Sequence, residues 1–269
     1  MRRITLGAGL ILIVVGAVGV LDALGVISVS ICGLFWAAAL IGVGVWIVWG
    51  VLTRKPSPGV GEASIPLEGA TSARVSISHG AGRLQVGGGA EAGVLVQGNF
   101  IGGLDQEVNR RGDELAVKMR VQGEGLLMVL LPWKWAKARG AEWIVQLTEE
   151  IPLALKVEGG ASENLLDLAD LQVEELAIET GASSTKLTLP ARAGHTRASV
   201  ACGAGGVDIR VPSGVAARVQ ARSTMAEVKV DRRRFPRVES GAYESPDYET
   251  AENSVDLVVE ATIGSAEVH

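Results

Sequence analysis

The sequence predicts an all-β fold, a solenoid-like stack of sheets with Gly-Ala turns, preceded by an N-terminal two-helix transmembrane hairpin. Three observations predict it. Two long uncharged runs fill residues 1–55, apolar and polar residues alternate beyond residue 72, and small-residue corners recur every 21 or 22 positions from about residue 143. The implied organisation is a hairpin over 1–55, a linker and first strand approach over 56–72, and a β-repeat domain over 73–269.

Ile4 to Leu21 is an uncharged run of 18 residues and Ile31 to Leu52 one of 22. As helices they would span roughly 27 and 33 Å, close to the ~30 Å hydrocarbon core of a bilayer. Gly9, Gly16 and Gly19 give the first run a small face on which a second helix can approach closely. A cleavable signal peptide over 1–23 is the rival reading, but no clear small-x-small cleavage site follows and a second apolar run begins at once. Arg2, Arg3, Arg54 and Lys55 flank the outer ends of both runs. The positive-inside rule therefore expects a multi-pass protein of the plasma membrane, bound to the lipid bilayer through two spans, with its β domain on the cytoplasmic side. Pro56-Ser-Pro-Gly then forbids continuation of the second helix.

The net charge of −5 hides an asymmetry, because residues 1–55 carry +3 and the remainder −8. An acidic β domain argues against nucleic acid as a partner. Aromatic residues make up only 4% of the chain, so the core must be built from Val, Leu, Ile and Ala, which suits flat β layers. Cys32 and Cys202 are read as free, buried small hydrophobes.

Ala73, Val75 and Ile77 alternate with polar residues, as do Leu84 and Val86, and Leu115, Val117 and Met119. From residue 143 a corner followed by a strand recurs at Gly160, Gly181 and Gly203, with weaker copies starting at Met225 and Gly264. The last step, 39 residues, is one period plus an insert at about Arg232–Asn253. Each unit would hold two strands of five or six residues and two turns, too little apolar surface to fold alone, so units must stack. A Greek-key sandwich is the alternative topology.

The glycine-rich two-helix start resembles the membrane region of LiaF/LiaI-type proteins. Val75-Ser-Ile-Ser-His-Gly-Ala-Gly-Arg-Leu-Gln-Val86 is similar to the opening of their toast-rack domain, and Trp143 to Ala161 to its central strand pair. Met225-Ala-Glu-Val-Lys-Val, Tyr243-Glu-Ser-Pro-Asp-Tyr248, Ala251-Glu-Asn253 and Ile263-Gly-Ser-Ala-Glu-Val268 resemble the LiaF-like C-terminal repeat. The resemblance covers nearly the whole chain and implies a bacterial envelope protein with a stacked β domain, tied to antibiotic or cell-envelope stress signalling. The chain has two spans where the fuller pattern has four. No catalytic residue comes with the family.

The residues themselves predict no enzyme, no cofactor and no metal. His79, His195 and His269 are scattered singly and read as exposed or turn-capping imidazoles. Gly80-Ala-Gly82, Gly87-Gly-Gly89 and Gly203-Ala-Gly-Gly206 run into strands, whereas a phosphate cradle opens a helix. Glu149 and Glu150 are adjacent, so in a strand they would point to opposite faces, and they read as a solvated turn.

Two surface features are candidates for membrane or partner contact. Trp133, Lys134, Trp135 and Lys137 follow the apolar stretch Leu126–Leu131, a pairing suited to a headgroup layer. A core strand with an ordinary loop is the plain reading. Arg232, Arg233 and Arg234 open a basic cluster that an acidic or phosphorylated partner would suit, against the plain reading of a charged loop balanced by Glu239, Glu244, Asp247 and Glu249. The function expected is a non-enzymatic envelope protein whose β domain offers a flat surface to a protein partner. An adhesin-like or self-assembling surface module is the alternative.

Overall fold

The computed structural model describes residues 61–121, 141–238 and 242–269, together with Gly42. The rest of the hairpin over 1–55, the tether at 56–60 and the Trp133–Lys137 feature lie outside the described residues. No helix among the described residues is long and apolar enough to cross a membrane.

Among the described residues twelve strands follow in chain order: β1 (Gly61–Pro66), β2 (Ser72–Gly87), β3 (Val94–Ile101), β4 (Leu104–Arg111), β5 (Glu114–Val121), β6 (Ala141–Leu147), β7 (Leu153–Asp167), β8 (Val173–Thr188), β9 (His195–Arg210), β10 (Val215–Val230), β11 (Tyr243–Glu244) and β12 (Asn253–Val268). β1 lies inside the segment expected to be a linker and strand approach.

The long strands β2, β7, β8, β9, β12 and β10 pair side by side, all parallel. Fully extended, a 15-residue strand such as β7 would be about 50 Å long. The five residues between β7 and β8 can reach back only ~18 Å, so each strand must double back on itself. It does so at the small-residue corner. Val157 is buried, the next buried residue is Ser162, and the inward parity switches from odd to even between them. Each repeat is thus one continuous strand bent into two halves, where two separate strands were expected. Pairing resumes immediately past the corner, since Gly159 faces Thr180 and Ala161 faces Ala182.

The corner is built of glycine because successive rungs touch there. A Cβ on Gly160 would lie 2.4 Å from the carbonyl oxygen of Gly80, one on Gly181 2.9 Å from that of Gly160, and one on Gly203 2.8 Å from that of Gly181. No side chain fits in such a gap.

The two halves enclose one aliphatic core. In the first half Val75, Leu155, Leu176, Ala198, Leu257 and Val219 line up across the sheet, and in the second Val86, Leu166, Leu187, Ile209 and Val268 do so; all are buried. Each such side chain contributes ~1.5–3 kcal/mol when removed from water. Every apolar residue singled out by alternation in β2 and β5 lies in this core. Cys202 is a buried free thiol within it.

At one end the rung before β2 is split. β5 pairs with the first half of β2 and β6 with its second half, while β4 flanks β5, and β3 and then β1 flank β6. The other end departs from the expected simple succession. The final repeat, β12, does not follow β10 in space but lies between β9 and β10. The corner residues of these two rungs are Thr224 and Thr262, one and two positions before the starts assigned at Met225 and Gly264. Gly264 instead aligns with Gly205.

Candidate functional site

The outward residues of the first halves form ordered rows. Along one of them charge alternates from rung to rung past Ala154: Arg74, Glu175, Arg197, Asp256, Arg218 and Glu244. Arg74 meets Glu114 at 3.2 Å and Glu175 at 3.8 Å, and Arg218 meets Glu244 at 2.6 Å and Glu249 at 3.0 Å. Exposed pairs of this kind add little stability, but opposite signs on adjacent strands favour one register.

A shallow groove of about 430 Å³ runs across this face. Its floor is low because Ala154 and Ala177 carry short side chains, and its walls are Arg74, Lys118, Lys156, Arg197 and Glu175. Lys156 is bound to Glu158 at 2.8 Å and Glu179 at 3.3 Å. The hydrogen bonds it donates to these carboxylates hold its ammonium pKa above the ordinary lysine value, and the Glu158 carboxyl lies below its own ordinary value, chiefly through Lys156 and then Ser78. Lys118 and Arg197 have no ion pair among the described residues. The groove therefore sets two uncommitted cations beside an apolar floor, on a chain of net charge −5. That combination can bind an acidic, extended segment.

The arginine cluster divides. Arg232 and Arg233 are exposed in the turn after β10. Arg234 is not available for partner contact as expected, because its guanidinium donates to the carbonyl oxygens of Val211, Pro212 and Val215 and lies over the ring of buried Phe235. Arg234 pins the 231–252 insert to the return turn after β9. Across the insert Tyr248 donates to Asp256 at 2.7 Å and lies under the Arg218 guanidinium at 4.1 Å. Burial first, and the Asp256 bond second, push its phenol up to about 12.

His79 is the residue that sequence reasoning misplaced. It is 1% exposed, neither ring nitrogen has a hydrogen-bond partner, and it meets Trp143 edge to face at 5.4 Å. The signal was present: after Ala73, Val75 and Ile77, position 79 is the next inward one. His195 and His269 are exposed and face Asp256 and Asp208. Glu149 and Glu150 are exposed as expected. No group of three or more His, Cys, Asp or Glu placed to hold a metal occurs among the described residues.

Burial lowers the His79 pKa from 6.5 to about 4, so the folded protein holds it neutral. The unfolded chain takes up a proton below pH 6.5 and the folded one does not until about pH 4. Stability is therefore full above 6.5, falls as pH drops, and levels off below about 4, a loss of about 3 kcal/mol. Urea midpoints of the full chain at pH 7 and pH 4 should differ more than those of His79→Leu. An equal difference in both would remove His79 as the cause.

These features define a two-sided parallel β-solenoid with ion-paired faces. Residues 54–210 match the family model described as the N-terminal domain of toast_rack. Residues 166–268 match a model described as cell wall-active antibiotics response LiaF, C-terminal. The chain belongs to the toast-rack family. No curated protein matches it. Among solved structures, a candidate cell adhesion protein from Clostridium sporogenes is similar at a TM-score of 0.68 and 18% identity, over 79% of this chain and 99% of that one. At that identity the likeness shows a shared fold.

Proposed function

We propose that the chain is a membrane-anchored, non-enzymatic protein of the cell-envelope stress response, whose solenoid face docks an acidic segment of a signalling partner such as a sensor kinase. The observation that carries this reading is the basic groove at Lys118 and Arg197, on a domain whose C-terminal half matches the LiaF antibiotics-response model. The charge bias of Arg2, Arg3, Arg54 and Lys55 supports two spans with the β domain on the cytoplasmic side. A photo-crosslinker placed at Lys118 in cells should capture a protein other than this chain, and Arg197→Glu should reduce that capture. Capture of nothing but the chain itself would overturn the docking.

The adhesin-like reading is supported by the fold shared with the clostridial protein. It requires the β domain outside the cell, so protease added to intact cells separates the two. Digestion would favour adhesion, and protection would favour signalling.

A further inference from the structure

The two ends of the solenoid are stepped. Counted outward from β2 among the described residues, the second half-sheet carries three more strands, β6, β3 and β1, whereas the first carries two, β5 and β4. At the far end both halves reach β10, and among the described residues only the first gains a further strand, β11. One end therefore projects by a strand on the half-sheet where the other is recessed, and each step is the complement of the other.

We propose that the β domain stacks head to tail on a second copy of this chain, β1 of one copy adding in parallel beside the second half of β10 of the other. Open strand edges pair readily with a matching strand, and the second half of β10 is open on its outer side among the described residues. Its inward residues Val228 and Val230 are only half-buried, although Ala266 and Val268, their neighbours one rung inward, are fully buried. Met225 on the same edge is 70% exposed.

The register of the sheet carries the match through to single residues. The row that begins at Gly61 and passes through Trp143 and Leu84 ends at Val228. Continued into a second copy, it sets Glu62 opposite Lys229 and Ala63 opposite Val230. Glu62 and Lys229 both point outward and carry opposite charge, while Ala63 and Val230 both lie against the core. On the other half-sheet the row from Val108 through Val75 ends at Tyr243. Val108, 45% exposed, would then seat against Tyr243 of the second copy. β4 and β11 both run antiparallel to the rungs they flank, so they too meet in parallel. Such a contact joins unlike surfaces and leaves both outer ends free to repeat it.

This goes beyond the docking of a signalling partner and stands without it, since the groove on the face is not used. Purified full chains carrying either Glu62→Cys or Lys229→Cys test it, because directly opposed residues on neighbouring strands lie within disulfide reach. On mild oxidation a mixture of the two variants should give a covalent dimer that neither gives alone, with the unsubstituted chain as control for Cys32 and Cys202. The chain carrying both substitutions should give a ladder of multimers. Absence of the mixed dimer would overturn the proposal. So would a dimer of Lys229→Cys alone, which would mean that the edge pairs with itself.

Discussion

Gly264→Ala should prevent the domain from completing its fold. Gly264 has φ +123°, where an L residue is strained, and an added Cβ would lie 1.9 Å from the carbonyl oxygen of Gly205. That oxygen belongs to the neighbouring rung and is fixed by its own ladder, so the clash can be relieved only by separating β12 from β9. β10 blocks movement away on the other side. Strain of this kind with no direction of escape belongs among the largest single-residue effects, ~5 kcal/mol. Gly194→Ala provides the contrast. It also has positive φ, +68°, but nothing lies within 4 Å of its added Cβ, so the cost should stay near ~1 kcal/mol. Denaturant titration of both variants checks the pair; equal costs would show that close approach is not what demands glycine at 264.

Trp143→Ala should cost ~3–5 kcal/mol, the usual range for emptying a buried aromatic site. The indole is fully buried, edge to face with Phe100 at 5.1 Å and His79 at 5.4 Å. It is the largest side chain in the core and stands where the split rung of β5 and β6 joins the regular stack. A second readout distinguishes this site from a remote one. The space left beside His79 admits water, so its pKa should rise from about 4 toward 6.5 and the acid sensitivity of folding should shrink. A variant that loses stability yet keeps the full pH dependence would separate the tryptophan from the histidine.

Much of this architecture is legible in the chain because its core is periodic. Val75, Leu155, Leu176, Ala198 and Leu257 fall on one row because each sits at the same offset from its corner, and spacing alone reports that offset. The glycines at 160, 181 and 203 announce the bend for a steric reason that local sequence carries. The order of the last two rungs is not local. β10 and β12 have similar patterns and Thr224 and Thr262 at their corners, so nothing local reports which of them lies next to β9. The groove was illegible for a similar reason. Lys118, Ala154, Ala177 and Arg197 are far apart in sequence and become neighbours only through the register. His79 was misread because one imidazole in an apolar alternation looks like an interruption, when its position in the row made it an inward residue.

The place of β12 has a consequence for biosynthesis. Residues 253–268 leave the ribosome after β10 yet belong between β9 and β10, so β10 cannot take its final place until β12 has been made. Neither bordering strand has its final neighbour before then, and much of the aliphatic interior at that end stays wet. Docking of β10 and β12 is therefore a late step, and β9 keeps an open edge until it is complete.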